Sequence, residues 1–156
     1  MKNVEASPAE RQKKTKSPFV EGAVSPAFIA DSIAKHSGNH AIGAHQIFLG
    51  QIRADASEGR KVTAIEFTAY RELADGLYSE FRETLFSKYA LTCMHVHHSL
   101  GTVRTGEINL FVFVSSVHRK DAIAACAELV EWIKCELPVW GKEQFNDSSE
   151  QWKINT

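Results

Sequence analysis

One stretch of the sequence, SSVHRKDAIAACAELVEWIKCELPVWGKE at residues 115–143, has basic side chains at both ends of a predicted helix. His118 and Arg119 stand where a strand gives way to that helix. The N-terminus of a helix presents free N–H groups and a positive potential, so it favours an anion. Arg119 adds a planar fork that matches a phosphate or a carboxylate. A solvated arginine beside a capping histidine is the alternative, and the pair alone does not decide between them.

Lys134 lies at the border of the apolar stripe of this helix, beside Ala127 and Val130, when residues are set about 100° apart. The stripe consists of Ala122, Ile123, Cys126, Leu129, Val130, Ile133 and Leu137. A lone lysine at such a border usually covers apolar surface with its stem. The alternative is a partly desolvated amine with a lowered pKa, able to act as an acid, a base or a nucleophile.

A further basic side chain, Arg53, ends the segment FLGQIR, where a predicted strand passes into a polar loop. Gly50 in the same segment allows close approach to the backbone. Functional residues are frequent at such exits from a rigid element, although a solvated loop arginine is equally consistent with the pattern.

The histidine-rich run MHVHH raises the question of a metal site. His95 and His97 share one face of a predicted strand. No carboxylate or cysteine lies at a ligand spacing, and Cys93, two positions earlier on the same face, is interpreted as a core residue. We therefore predict no metal site here.

Length and composition describe an ordinary globular chain of 156 residues, 44% hydrophobic and 24% charged, with a net charge of -1. This charge gives no general attraction to nucleic acid or to a membrane, and no apolar run approaches the roughly 20 residues that span a bilayer. The three cysteines, Cys93, Cys126 and Cys135, form neither a zinc spacing nor an even set, and no signal peptide is recognised. The expected location is the cytoplasm.

Hydrophobic periodicity predicts strands and helices in the order β-α-β-β-α-β-β-α. The predicted strands cover residues 19–24, 42–53, 62–70, 91–103 and 107–117, and the helices cover 25–36, 71–90 and 119–137. Residues 55–61 are predicted as a polar loop, and 143–155 as a loop with one edge strand. The expected fold class is α+β, a mostly antiparallel sheet with helices packed on one side, similar to an α/β-hammerhead.

The chain is expected to divide into a disordered basic tail at residues 1–17 and one domain at residues 18–156. The tail has almost no large apolar residues, and its lysines and arginine outnumber its two glutamates. A basic arm for nucleic acid is the alternative, but the tail lacks aromatic residues before the domain begins, so we do not predict nucleic-acid binding.

Several motifs in one order carry a family resemblance. They are FLGQIR, VTAIEFTAY, HHSLGTVRTGE, SSVHRKDA, WIKCELPVWGKE and the closing QWKIN. In this order the sequence resembles the large, catalytic subunit of molybdopterin synthase, the MoaE family, from about Phe19 to Asn155. The specific part is SSVHRKDA followed by IKCELPVWGKE, because helix length, lysine position and the Pro-x-Trp exit match together.

The resemblance implies a sulfurtransferase that acts on cyclic pyranopterin monophosphate and adds two sulfurs to form the dithiolene of molybdopterin. It implies that the sulfur arrives as a thiocarboxylate on the C-terminal Gly-Gly of a small ubiquitin-like carrier subunit. It also implies a homodimer of large subunits with a small subunit at each far end, a heterotetramer. No resident cofactor is implied, and the cysteines need no nucleophilic role because the partner brings the sulfur.

Carried over by motif, the family's substrate-binding and catalytic positions fall at both ends of the predicted helix and at the end of FLGQIR. They are Gln51, Ile52, Arg53, His118, Arg119, Lys134, Gly141, Lys142 and Glu143. Arg53 and the His-Arg pair would bind the substrate, and Lys134 and Lys142 would be catalytic.

The sequence departs from the family at the second catalytic lysine. The family exit Pro-x-Trp-Lys is PVWGKE here, with Gly141 at the lysine position. Either Lys142 takes over that role, in which case a lysine restored at 141 would be neutral or helpful, or the role is diminished. Ser99 also stands where the family often has arginine after the histidine that corresponds to His98.

Two other functions remain open from the sequence. A non-catalytic adaptor for a ubiquitin-like partner would keep an apolar groove but not convergent cations. A phosphate-ligand binding module would keep Arg53 and Arg119 and tolerate the loss of Lys134.

Overall fold

The computed structural model describes residues 16–154, so the predicted tail at residues 1–17 lies almost wholly outside the described part. Within that part the chain forms eight strands and three helices. In chain order they are β1 (Phe19–Glu21), α1 (Pro26–His36), β2 (Ala44–Gln51), β3 (Ala56–Ser57), β4 (Arg60–Ala69), α2 (Arg71–Lys88), β5 (Leu91–Arg104), β6 (Ile108–Ser116), α3 (Arg119–Glu136), β7 (Val139–Phe145) and β8 (Glu150–Trp152). No helix among residues 16–154 is both long and apolar enough to cross a membrane.

The sheet has the strand order β2-β6-β5-β4-β7-β8, and every neighbouring pair along it is antiparallel. β5 holds the sheet together because successive parts of it pair with β6, with β1 and with β4. The pairing of β1 with β5 is parallel. The predicted α+β class with a mostly antiparallel sheet is therefore confirmed.

Helices cover both faces of the sheet, which corrects the expectation that they lie on one side. α2 and α3 pack on the face of β6 that carries Val112, while α1 places Ile29 against Phe111 on the opposite face. β6 is consequently buried on both faces, and its residues from Asn109 to Ser116 are all buried. The amphipathic pattern of a helix identifies its own buried side, but it does not identify the face of the sheet it covers.

Local signals placed the helix boundaries correctly. The N–H of Phe28 donates to Ser25 Oγ at 3.1 Å, which makes Ser25 the N-cap of α1, and Pro26 is the first helical residue. α3 ends at Glu136, just before Pro138, because proline cannot continue a helix.

One segment predicted as a loop contains strands, and residues 138–142, which carried no prediction, begin another strand. The edge strand predicted within residues 143–155 corresponds to β8. Residues 55–61 form a tight hairpin of β3 and β4, turned by Glu58 at φ 52° and Gly59 at φ 76°. Two successive positive φ angles match the twist of a two-residue hairpin. The segment after Pro138 is β7, which pairs along β4 from Val62 to Ala69. The alternation of apolar and polar residues in β7 is too weak to predict a strand.

Candidate active site

The last turn of α3 brings Lys134 to a small cavity of about 20 Å³, where β4, β5 and β7 come together. Its lining combines apolar side chains with two cations and one imidazole. The lining residues are Phe67, His98, Ile133, Lys134, Val139, Gly141 and Lys153. The cavity has room for about one water molecule, so a single chain encloses the amine of Lys134 there but no larger ligand.

Lys134 has the environment of a reactive amine. It is half-buried, and burial lowers its pKa below the ordinary lysine value. The positive charge of Lys153 lowers the pKa of Lys134 further, because two ammonium groups close together repel. An amine with a lowered pKa exchanges protons nearer neutral pH, which suits acid–base work.

His98 contributes a neutral imidazole to the same cavity. Burial lowers its pKa to about 4, and Lys134 lowers it in the same direction. Its Nδ1 lies 2.8 Å from the backbone carbonyl of Ser99, and because a carbonyl only accepts, Nδ1 carries the hydrogen. The neutral ring therefore has its lone pair on Nε2.

Lys153 is a site residue that the sequence analysis missed. It follows β8, and its backbone N–H donates to the carbonyl of Gly141 at 2.8 Å, which fixes the chain beside the cavity. The motif QWKIN contains this lysine but gives no sign of where it points. The pairing of β8 with β7 brings Lys153 beside Gly141, which has no side chain to occupy the cavity.

Gly141 is held against the core of the second half of the sheet. A Cβ at this position would lie 2.9 Å from Ile65 Cγ2 and 3.3 Å from Phe67 Cε1. Real Cβ atoms are not found so close to a buried branched side chain. The expectation that a lysine restored at 141 would be neutral or helpful conflicts with this packing.

We expect Gly141→Ala to lower the free energy of unfolding by about 1–3 kcal/mol, since inserting a methyl group into a packed core forces neighbours to move. Gly76→Ala is the matched control: it lies in α2 with nothing within 4 Å of its Cβ, and it should raise stability by about 0.5–1 kcal/mol. Urea unfolding of both variants measures the difference. Equal stability of Gly141→Ala and the wild type would contradict the close packing.

Lys142 points away from the cavity. Its neighbour Gly141 faces Phe67, and alternation along β7 turns Lys142 to the opposite face of the sheet. There its Nζ lies 3.6 Å from Glu150 Oε2 and 4.7 Å from the ring centroid of Trp152. Glu143 pairs with Ile65 and returns to the cavity side of the strand, where it is half-buried.

His118 and Arg119 form a separate site at the other end of α3. His118 occupies the N-cap position without a side-chain capping bond, and both residues are exposed. They border an open depression of about 530 Å³, with Lys120, Ile123 and Ala124. Ile123, predicted in the apolar stripe, is 51% exposed and forms part of this depression. Cations and free helix N–H groups around such a space suit an anion.

Arg53 lies beyond the end of β2 with a side chain that is 74% exposed, 3.3 Å from Asp55. Gln51 is exposed at a register shift, and Ile52 is buried in the core. β2 runs antiparallel to β6, and α3 returns along both strands, so Arg53 and Lys134 lie toward the same end of the sheet.

The structure thus divides the predicted residues into two groups. Lys134 and Gly141 share the cavity with His98 and Lys153, with Arg53 toward the same end. His118 and Arg119 begin the helix whose last turn carries Lys134, and fifteen residues at about 1.5 Å each separate the two ends by roughly 22 Å.

Comparison with known sequences gives a consistent picture. The model of the family described as MoaE protein matches residues 23–136. The molybdopterin synthase catalytic subunit of Oryza sativa subsp. indica is 37% identical over 120 residues, 77% of this chain and 61% of the rice protein. That of Pyrococcus abyssi is 34% identical over 124 residues, 80% of this chain and 82% of that protein. The chain spans less than two thirds of the length of the rice and Aspergillus relatives it matches.

Solved structures give the same fold. Molybdopterin synthase from Staphylococcus aureus superposes with a TM-score of 0.76 at 26% identity, covering 90% of this chain and 98% of that one. A complex of subunits 1 and 2 of molybdopterin-converting factor from Helicobacter pylori gives a TM-score of 0.74 at 17% identity, covering 86% and 87%. The second likeness concerns the fold alone.

Proposed function

Because the chain belongs to the MoaE protein family, we propose that it is the catalytic subunit of a molybdopterin synthase. In this proposal it transfers sulfur from the thiocarboxylated C-terminus of a small ubiquitin-like carrier subunit to cyclic pyranopterin monophosphate. The product is the dithiolene of molybdopterin. The catalytic subunits named among its relatives support the activity, and the complex of subunits 1 and 2 from Helicobacter pylori, which shares the fold, agrees with the presence of a partner subunit.

The observation that carries the proposal is the half-buried Lys134, with its lowered pKa, beside a second cation and a neutral imidazole. A thiocarboxylate already supplies nucleophilic sulfur, so the large subunit has to position the pterin and move protons. Lys134 exchanges those protons, and the Nε2 lone pair of the neutral His98 can accept a hydrogen bond inside the cavity. The cysteines have no part in the transfer.

Lys153 supplies, in our proposal, the second cation that the family carries at the position of Gly141. Lys142 is the alternative, but its pairing with Glu150 holds it on the other face of β7. Lys153, on the segment beside β7, provides the second positive charge next to Lys134. Position 141 can then remain a glycine, as its close packing requires. The missing lysine is thereby replaced from a different part of the chain.

Removing the charge of Lys153 tests this replacement. In Lys153→Met the pKa of Lys134 should rise, since the repulsion that lowers it is gone, so the limb of the pH–rate profile that reports Lys134 should move to higher pH. Lys142→Met is the comparator and should leave that limb in place. A limb that moves in Lys142→Met but not in Lys153→Met would assign the role to Lys142.

The substrate site requires two copies of the chain in this proposal. The cavity at Lys134 is too small for a pterin, while the depression at His118 and Arg119 is large and positively charged. A two-fold axis that sets two α3 helices antiparallel would bring the N-terminus of one beside the C-terminus of the other. His118 and Arg119 of one subunit would then bind the phosphate, and Arg53 and Lys134 of the other would complete the site.

Sulfur incorporation into cyclic pyranopterin monophosphate, with a thiocarboxylated carrier subunit, tests the function directly. The wild-type chain should consume two thiocarboxylates for each dithiolene that it forms. A chain that binds the carrier without forming product would be an adaptor. A chain that binds the pterin phosphate but leaves the thiocarboxylate intact would be a phosphate-binding module.

The cytoplasm is the proposed location. Cys93, Cys126 and Cys135 are free thiols, and burial raises the pKa of Cys126 to about 11. Unpaired thiols are typical of a reducing compartment.

A further inference from the structure

Three potential metal ligands come together on the face of the sheet opposite α2 and α3. They are His36 in the last turn of α1 and Cys93 and His95 on β5, and their ligand atoms all lie within 4.8 Å of one another. His36 Nε2 and His95 Nε2 are 3.1 Å apart. Two imidazole nitrogens bound to one zinc ion at about 2.0–2.1 Å with a tetrahedral angle stand roughly 3.3 Å apart. The spacing of the two rings already fits a shared ion.

The orientation of His36 is fixed by its second nitrogen. Its Nδ1 lies 2.6 Å from the backbone carbonyl of Ser32. A carbonyl only accepts, so Nδ1 carries the hydrogen, and a neutral His36 directs the lone pair of Nε2 at His95. Metal-binding histidines are typically oriented by this kind of hydrogen bond from the other ring nitrogen.

The sheet directs the other two ligands, Cys93 and His95, to the same side. Cys93 and His95 are two residues apart on one strand, so their side chains leave the same face. Phe113 lies on β6 opposite His95, and its ring centroid is 4.7 Å from that of His36 and 6.3 Å from that of His95. An aromatic ring packed against half-buried ligands restricts the approach of water.

We propose that His36, Cys93 and His95 form a binding site for a divalent transition metal, with zinc as the fitting ion. Two imidazoles and one thiolate suit its borderline softness, and a water would fill the fourth position of a tetrahedron. On binding, the Cys93 thiol loses its proton to solvent and the thiolate becomes the third ligand. The ion would fasten the end of α1 to β5, the strand that also carries His98 into the Lys134 cavity. The sequence pattern predicts no metal site here, because His36 lies 59 residues from His95 in the chain.

Metal titration of the full-length chain, without an affinity tag, tests the site apart from any sulfur transfer. The wild-type chain should bind one equivalent of Zn²⁺, and at a hundredfold excess over Kd its Tm should rise by roughly 5–10 °C. With Co²⁺ in place of Zn²⁺ it should give the visible bands of tetrahedral cobalt and a thiolate-to-cobalt charge-transfer band. Cys93→Ser should lose the charge-transfer band, and Cys93→Ser and His95→Gln should each weaken binding by roughly 100-fold or more.

Two variants control for other ligands of the same type. Cys135→Ser removes the exposed thiol, and His97→Gln removes a neighbouring half-buried histidine that lies outside the cluster. Both should keep the affinity within a few-fold and keep the charge-transfer band. Absence of stoichiometric zinc binding by the folded wild type would overturn the proposal. So would a charge-transfer band that survives in Cys93→Ser and disappears in Cys135→Ser.

Discussion

Replacing Lys134 with alanine is expected to lower the rate of dithiolene formation by roughly 100-fold or more, the usual contribution of a positioned acid or base. The side chain is half-buried at the border of α3, and burial together with Lys153 lowers the pKa of its amine. Its loss removes the proton-exchanging group while the apolar residues of α3, such as Leu129 and Ile133, keep their packing. The free energy of unfolding should change by about 1 kcal/mol or less.

Single-turnover sulfur transfer and urea unfolding of the same preparation measure the two effects separately. Lys35→Ala is the matched control, because it removes an exposed lysine from the last turn of another helix. It should keep full activity. Near-normal turnover in a folded Lys134→Ala protein would show that this lysine only covers apolar surface.

Mixing two inactive variants, Arg119→Ala and Lys134→Ala, is expected to restore activity to about one quarter of wild type. Random exchange makes about half of the dimers mixed. In the composite site, each mixed dimer has one site with both residues intact and one with neither. The separation of roughly 22 Å between the two residues along one helix makes a site within a single chain difficult to build for a small substrate.

Arg53→Ala mixed with Lys134→Ala is the negative control for this experiment. Both residues are proposed to come from the same subunit, so every site in the mixed dimer lacks one of them and activity should stay low. Subunit exchange has to be verified, for example with two differently tagged chains. If exchange occurs and Arg119→Ala with Lys134→Ala stays inactive, the two residues act within one chain.

The parts of this fold with strong local signals could be predicted from the sequence. Ser25 and Pro26 mark the start of α1, and Pro138 marks the end of α3, because capping and proline geometry depend only on neighbouring residues. The strands of the central hairpin, β5 and β6, were equally clear from their apolar runs. β7 was missed since Trp140, Gly141 and Lys142 interrupt any simple alternation and are organised by β4.

The candidate site was predictable only where one motif carries it. Helical spacing placed Lys134 at the border of an apolar stripe, and a strand-to-helix junction placed His118 and Arg119. Their roles in a site were implied only by the family resemblance. Lys153 and His36 were not predicted because each lies beside residues that are far away in the sequence. Lys153 depends on the pairing of β8 with β7, and His36 on the packing of α1 against β5.

The position of β4 has a consequence for how the chain folds during synthesis. Its two neighbours along the main strand order, β5 and β7, both follow it in the sequence, so β4 leaves the ribosome paired only with the two-residue β3. Until β7 emerges, one edge of β4 and the apolar side chains of Ile65 and Phe67 stay open to association with other nascent chains. Long-range strand pairing of this kind is slow. β7 closes this edge and brings Gly141 to the cavity, and Lys153 reaches the cavity once β8 has paired with β7. The candidate site is therefore completed only by the strands that also cover the exposed edge of β4.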